Sequence, residues 1–149
     1  MDVSHVIPDA SDPMPLFRTW FDEAQAQEPN LAEAMSLATA TLDGKPSVRL
    51  VLLKEVNGKG FVFYSNAESR KGAEIADNPA AAMCFHWKSL RRQVRIEGSL
   101  VPVTNAEADA YWATRPRASQ VGGWASQQSQ PLPSRAVLQA RVEECDARF

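Results

Sequence analysis

A chain of 149 residues, 44% hydrophobic and 23% charged, has ordinary globular composition and enough length to bury a core. Its formal net charge of −2 argues against nucleic-acid binding through bulk electrostatics. No apolar run approaches the roughly 20 residues that a membrane-spanning helix needs, and Met1-Asp2-Val3-Ser4-His5 lacks the basic-then-apolar pattern of a secretory signal, so a cytoplasmic protein is expected.

Residues 1–11 are polar, carry little pattern, and read as an arm. Asp12-Pro13 is a helix start, with Asp as cap and Pro at the first helical position. Phe17, Trp20, Phe21 and Ala24 follow at helical spacing. From Ala34 the period changes to two, and 35–42 read as a strand. Asp43-Gly44 is a hairpin turn, 47–56 a second strand, 57–60 a second turn and 61–65 a third strand. Ser69 caps a short helix to about Asp77, stopped by Asn78-Pro79. Residues 80–87 and 93–103 read as two further strands. Thr104-Asn105-Ala106-Glu107 is a capping box opening a helix through Trp112, which Arg115-Pro116 ends. Residues 119–129 read as a helical turn and loop, and Ser134 caps a last helix with Leu138, Val142, Cys145 and Phe149 on one face. There is no repeat and no domain boundary, so residues 1–149 are expected to be one domain. About five antiparallel strands with peripheral helices predict a small, mainly β barrel.

Cys84 and Cys145 have no metal-ligand spacing and are expected to be reduced, mostly buried thiols. His86 is expected in the core or an interface, and His5 receives no role. No Ser-His-Asp, Cys-His or paired-carboxylate arrangement emerges. Arginines do cluster locally, at Arg91, Arg92 and Arg95 and again at Arg115 and Arg117, which suits small anionic ligands.

Arg49 and Lys54 bracket an apolar strand; alone, they read as solvated charges at strand ends. Five residues apart in an ideal strand, they point to opposite faces, so one small site would need a bulge or a ligand lying across the strand end. Ser69-Arg70-Lys71 stands at a helix start, where free N–H groups attract anions. Cations there are unfavourable for the helix itself, so an anion would explain them, ordinary surface charge being the alternative. Gln93 offers a donor and an acceptor to a polar ring edge or simply to water. Tyr111 and Arg115, four apart, with Ser119 beyond Pro116, can clamp a phosphate or form a surface stack.

Three of these segments, Arg49-Leu50-Val51-Leu52-Leu53-Lys54, Phe63-Tyr64-Ser65-Asn66 with Ser69-Arg70-Lys71, and Arg92-Gln93-Val94, together with Tyr111-x-x-x-Arg115-Pro116-x-x-Ser119-Gln120, resemble the pyridoxine (pyridoxamine) 5′-phosphate oxidase family. The resemblance runs from about Phe17 to Phe149. It implies an FMN-binding split barrel that forms a homodimer with flavin at the subunit interface. It further implies that Arg49, Leu50, Val51, Leu52, Leu53, Lys54, Tyr64, Ser65, Arg70, Lys71, Gln93, Gln128 and Ser129 contact FMN, the Gln128-Ser129 pair from the other subunit. Lys54, Tyr111, Arg115 and Ser119 would hold the phosphate of pyridoxamine or pyridoxine 5′-phosphate, oxidised to pyridoxal 5′-phosphate with O2 as acceptor. No metal, nucleic acid or membrane is implied. The family pattern continues beyond Phe149 into a Trp-containing strand and an Arg-x-His motif, and the reading takes this chain to lack that segment. Two alternatives stand beside it: a flavin oxidase of another aromatic, phenazine-type substrate, and a non-catalytic FMN or pyridoxal phosphate binding protein.

Overall fold

The computed structural model describes residues 7–9 and 11–149; His5 and most of the expected N-terminal arm lie outside them. Helix α1 (Pro13–Gln27) starts where expected, with the Asp12 carboxylate accepting from the Met14 N–H at 2.9 Å. Strands β1 (Ala34–Ala40), β2 (Pro46–Asn57), β3 (Gly60–Phe63), β4 (Ala80–Trp87) and β5 (Arg92–Ser99) form one antiparallel sheet in the order β3-β2-β1-β4-β5, curled into a half-barrel. Helix α2 (Arg70–Asp77) joins β3 to β4; α3 (Asn105–Thr114), α4 (Arg117–Ala125) and α5 (Arg135–Arg148) follow the sheet.

Alternation along the strands defines two faces. Met35 and Leu37 of β1, Val51 and Leu53 of β2, and Met83, Phe85 and Trp87 of β4 point into the core. There α1 lays Phe17 edge-on to Phe61, ring centroids 4.8 Å apart, and 5.4 Å from Phe85. The Trp87 indole N–H donates to the Ala32 carbonyl at 2.8 Å, so the buried ring leaves no polar atom unpaired. Arg92 pairs with Glu23 and lies 4.7 Å over the Trp20 ring, which ties α1 to the far strand. Removing the Phe17 ring would cost about 3–5 kcal/mol, the usual range for a buried aromatic.

Several elements differ from the sequence reading. The first strand stops at Ala40, because Thr41 turns to bond Lys45 and Gly44 (φ 82°) in the hairpin. The third ends at Phe63, opposite Leu53, and the chain then leaves the sheet. The fifth ends at Ser99, opposite Ala80, so 101–103 have no partner strand. Residues 117–125 form a regular helix rather than a helical turn: Val121 and Ala125, four apart, are its buried stripe. Its glycines hid it; a Cβ on Gly123 would come 2.5 Å from the tip of the Trp112 ring, which packs over that glycine and would have to move for a larger residue. None of the four residues on the expected apolar face of α5 is buried; Phe149 stacks instead on the exposed Trp124 ring. Cys84 and Cys145 are free but half-buried. His86 is exposed on the outer face of β4, not in the core.

Candidate functional site

β2 carries the answer to the Arg49–Lys54 parity problem. Its register against β3 shifts between Leu53 and Glu55, so Lys54 is the extra residue of a β-bulge. Before the bulge the odd residues Arg49, Val51 and Leu53 face inward; after it Val56 does. Lys54 is thereby released from the alternation and exposed. Leu50 projects from the outer face and is 71% exposed, and Leu52 is half-buried.

Arg49 points to the polar end of the core face, against α2. Its Nη1 donates to the Leu37 carbonyl at 3.1 Å and to Thr39 Oγ1 at 2.6 Å; its Nη2 donates to Ser47 Oγ and to Glu74 Oε2, the latter at 3.3 Å. Glu74, on α2, is only 4% exposed. Its Oε2 also accepts from the Thr39 and Ser47 hydroxyls, and its Oε1 accepts from Arg70 Nε at 2.8 Å. The Ser47 and Thr39 hydrogen bonds, opposed by burial and helped by Arg70, lower the Glu74 pKa from 4.5 to about 2. Ser69 caps α2 and accepts from Lys71 Nζ at 2.9 Å. Burial, and then the neighbouring Arg49 charge, pull the Lys71 pKa down.

Three cations therefore gather at the start of α2: Arg49 and Arg70 pair with the single carboxylate Glu74, and Lys71 bonds the capping Ser69. The surplus is two positive charges, and the Arg70 side chain remains 69% exposed. A phosphate monoester carries about −1.5 to −2 at neutral pH, so the residues fit the phosphate end of a flavin mononucleotide.

The remaining predicted residues divide. Tyr64 leaves β3 and stacks flat on Tyr111, centroids 3.8 Å apart and planes 2° apart. Burial is the main cause raising its pKa, with Glu55 and Glu107 adding. Ser65 is exposed beside it, and Asn66 Nδ2 donates to the Gln128 carbonyl at 3.2 Å. Gln128 thus reaches this segment within its own chain, and the exposed Ser129 follows with a left-handed φ of 67°. Gln93, exposed on the outer face, pairs in register with His86. It is three strands from β2, about 14 Å at the usual strand spacing, and belongs to a different group. A cleft of about 240 Å³ on that outer face is lined by residues including Ser36, Leu50, Cys84 and His86.

Tyr111 and Arg115 do not share a helix face as expected. Arg115 is the extended C-cap of α3 and places its guanidinium 4.9 Å over the Trp112 ring. Ser119 lies in the first turn of α4, half-buried, its N–H bonded to the Pro116 carbonyl. The sequence reading missed Glu74, Thr39 and Ser47. The spacing of Glu74 four residues after Arg70 was the available signal.

The half-barrel is the fold of the FMN-binding split-barrel proteins, and in this chain a cationic helix start lies beside its second strand. The family model for pyridoxamine 5′-phosphate oxidase matches residues 21–149. Curated pyridoxine/pyridoxamine 5′-phosphate oxidases are similar throughout: that of Sphingopyxis alaskensis is 63% identical over 94% of this chain and 65% of its own length, and that of Maricaulis maris is 57% identical over 95% and 64%. The chain belongs to the pyridoxamine 5′-phosphate oxidase family and spans about 65% of the length of these relatives. The crystal structure of PhzG from Burkholderia lata 383, in complex with tetrahydrophenazine-1-carboxylic acid, superposes with a TM-score of 0.91 at 30% identity, covering 99% of this chain and 75% of that one. A pyridoxamine 5′-phosphate oxidase-related, FMN binding protein from Nostoc punctiforme shares the fold, with a TM-score of 0.69 at 17% identity over 89% and 73% of the two chains. Among the described residues no helix is long and apolar enough to cross a membrane, and no group of three or more His, Cys, Asp or Glu is placed to hold a metal.

Proposed function

We propose that this chain provides the flavin-holding body of a cytoplasmic, FMN-dependent oxidase of vitamin B6 metabolism, converting pyridoxamine or pyridoxine 5′-phosphate to pyridoxal 5′-phosphate. The observation that carries the cofactor is the surplus of two positive charges at the start of α2, where Arg49, Arg70 and Lys71 are offset only by Glu74. Arg49, Arg70 and Lys71, with Tyr64 and Ser65 adjoining, hold the phosphate end, and Gln128 and Ser129 contact the flavin from the other subunit. Leu50 and Gln93 on the outer face, with the backbone of 50–54, hold the rest. Lys54, Tyr111, Arg115 and Ser119 receive the substrate phosphate. FMN supplies a two-electron acceptor that O2 reoxidises, giving hydrogen peroxide; the protein's part is to bind, orient and exclude water.

The separation of Gln93 from the phosphate cluster supports a homodimer in which two chains complete each site. Val48 and Leu50, 68% and 71% exposed on the outer face, supply an apolar surface for that contact. The likeness to PhzG favours a second reading, oxidation of a phenazine-type substrate. The identity of 63% to a pyridoxine/pyridoxamine 5′-phosphate oxidase, against 30%, supports the first. The test is a visible spectrum of the purified chain followed by peroxide release on addition of pyridoxamine 5′-phosphate. Flavin absorption with turnover is expected. Flavin without turnover would support the non-catalytic binder, and turnover confined to a reduced phenazine carboxylic acid would support the second reading.

A further inference from the structure

Glu74 is a buried carboxylate to which the phosphate reading gives no ligand to touch, yet it bonds two of the three cations that reading uses, Arg49 and Arg70. Arg49 comes from β2 and Arg70 from the first position of α2, and Glu74 Oε2 and Oε1 join them. Two hydroxyls fill the space between. Thr39 Oγ1 accepts from Arg49 Nη1 and donates to Glu74 Oε2; Ser47 Oγ accepts from Arg49 Nη2 and donates to the same oxygen. An arginine only donates and an ionised carboxylate only accepts, so each hydroxyl between them has its proton direction fixed. The 3.4 Å approach of Thr39 and Ser47 to one another is then proximity, since both protons are already committed. No buried side-chain nitrogen or oxygen among the described residues lacks a partner. The result is a one-directional network from Arg49 to Glu74 that sets the strand arginine and the helix-start arginine relative to each other.

We propose that Glu74 is a positioning residue: through Thr39 and Ser47 it holds Arg49 and Arg70 in the arrangement that receives the flavin phosphate. This rests on the phosphate reading above. A carboxylate among phosphate-binding cations has two opposed effects. Its charge repels the incoming anion, and its bonds pre-organise the donors. The sign of the effect on affinity tells which one governs, and the fully bonded geometry predicts that pre-organisation does.

Glu74→Gln tests this because it keeps the shape and removes the second acceptor oxygen. The amide nitrogen must face either Arg70 Nε or the Arg49–hydroxyl side, and both present donors, so one arginine loses its anchor. FMN and riboflavin are titrated by flavin fluorescence into the wild-type chain, Glu74→Gln and Lys71→Ala, alongside thermal unfolding of each flavin-free form. The expected result for Glu74→Gln is FMN affinity roughly tenfold weaker or more with riboflavin affinity unchanged, a tenfold change being about 1.4 kcal/mol. Lys71→Ala is expected to weaken FMN alone. Unchanged or tighter FMN binding by Glu74→Gln, with Lys71→Ala weakened, would overturn the positioning role and leave the phosphate reading standing. Equal loss of FMN and riboflavin would show a purely structural role and overturn it too. An Lys71→Ala chain that binds FMN normally, or a wild-type chain that binds no flavin, would overturn the phosphate reading and the positioning role with it. Should Glu74→Gln not fold, Ser47→Ala removes one hydroxyl of the network. A weakening of FMN alone, roughly threefold and so about 0.7 kcal/mol, is then expected, and wild-type affinity would count against the proposal.

Discussion

The rings of Tyr64 and Tyr111 lie parallel, 2° apart in plane with centroids 3.8 Å apart, joining the segment that follows β3 to helix α3 across 47 residues of chain. One belongs to the stretch proposed to hold flavin and the other to the proposed substrate clamp, so the two sites share a rigid contact. An aromatic pair adds about 0.5–1.5 kcal/mol beyond simple burial. Tyr111→Phe should keep that contribution and Tyr111→Ala should lose it, which denaturant unfolding of the two variants will show. Equal stability of the two would mean the stack contributes nothing.

Gly72 occupies a position with no room for a side chain. An added Cβ would stand 1.9 Å from the Ala67 carbonyl oxygen, a backbone atom that cannot swing away. Gly72→Ala should therefore shift the first turn of α2 and destabilise the chain by about 1–3 kcal/mol, the usual cost of overpacking. Because Arg70 and Lys71 lie in that turn, FMN affinity should fall as well. Wild-type stability in a urea melt would show that the turn yields more easily than its geometry implies.

Glu74 also fixes an acid limit. Its folded pKa, about 2, is below its ordinary value of 4.5, so it binds its proton less readily folded than unfolded. The stability it contributes is present above about pH 4.5 and is lost as pH falls toward about 2. The wild-type chain should lose stability across this window, and Glu74→Gln, which has no proton to gain, should show a flatter acid limb in urea melts taken from pH 5 to pH 2.5. Parallel acid limbs would show that other carboxylates control the acid transition.

Much of the fold was legible because its signals are local. Asp12-Pro13, Ser69, the Thr104–Glu107 box and Ser134 each cap a helix where the sequence places them, and Asp43-Gly44 makes the hairpin. Strand ends were less legible, since β5 stops where β4 runs out of residues to pair, a property of the partner and not of Leu100 or Val101. The candidate site was legible in its cations, which resemblance and helix-start chemistry both singled out. Its organiser was not. Glu74 reads as one more surface acid until the fold places Thr39 of β1 and Ser47 and Arg49 of β2 against its helix. The Arg115 side chain was misplaced because the helix ends one residue earlier than the shared-face argument required.

Arg115 now has a specific expectation attached. Its planar guanidinium rests over Trp112. A lysine keeps the charge and loses both the plane and the forked donors. In any preparation that turns over pyridoxamine 5′-phosphate, Arg115→Lys should raise KM roughly tenfold or more, about 1.4 kcal/mol, with flavin content unchanged. Lost flavin with a normal KM would mean that the two phosphate sites are assigned the wrong way round.

The central claim is that the cations at the start of α2 recognise the phosphate of a flavin mononucleotide. Its most direct test is a side-by-side titration of the wild-type chain with FMN and riboflavin, which differ by that phosphate alone. Two charge-assisted contacts, each about 1.5–3 kcal/mol, predict FMN binding tighter by roughly a hundredfold or more, with the gap narrowing as salt rises. Equal affinity for the two flavins would contradict the account.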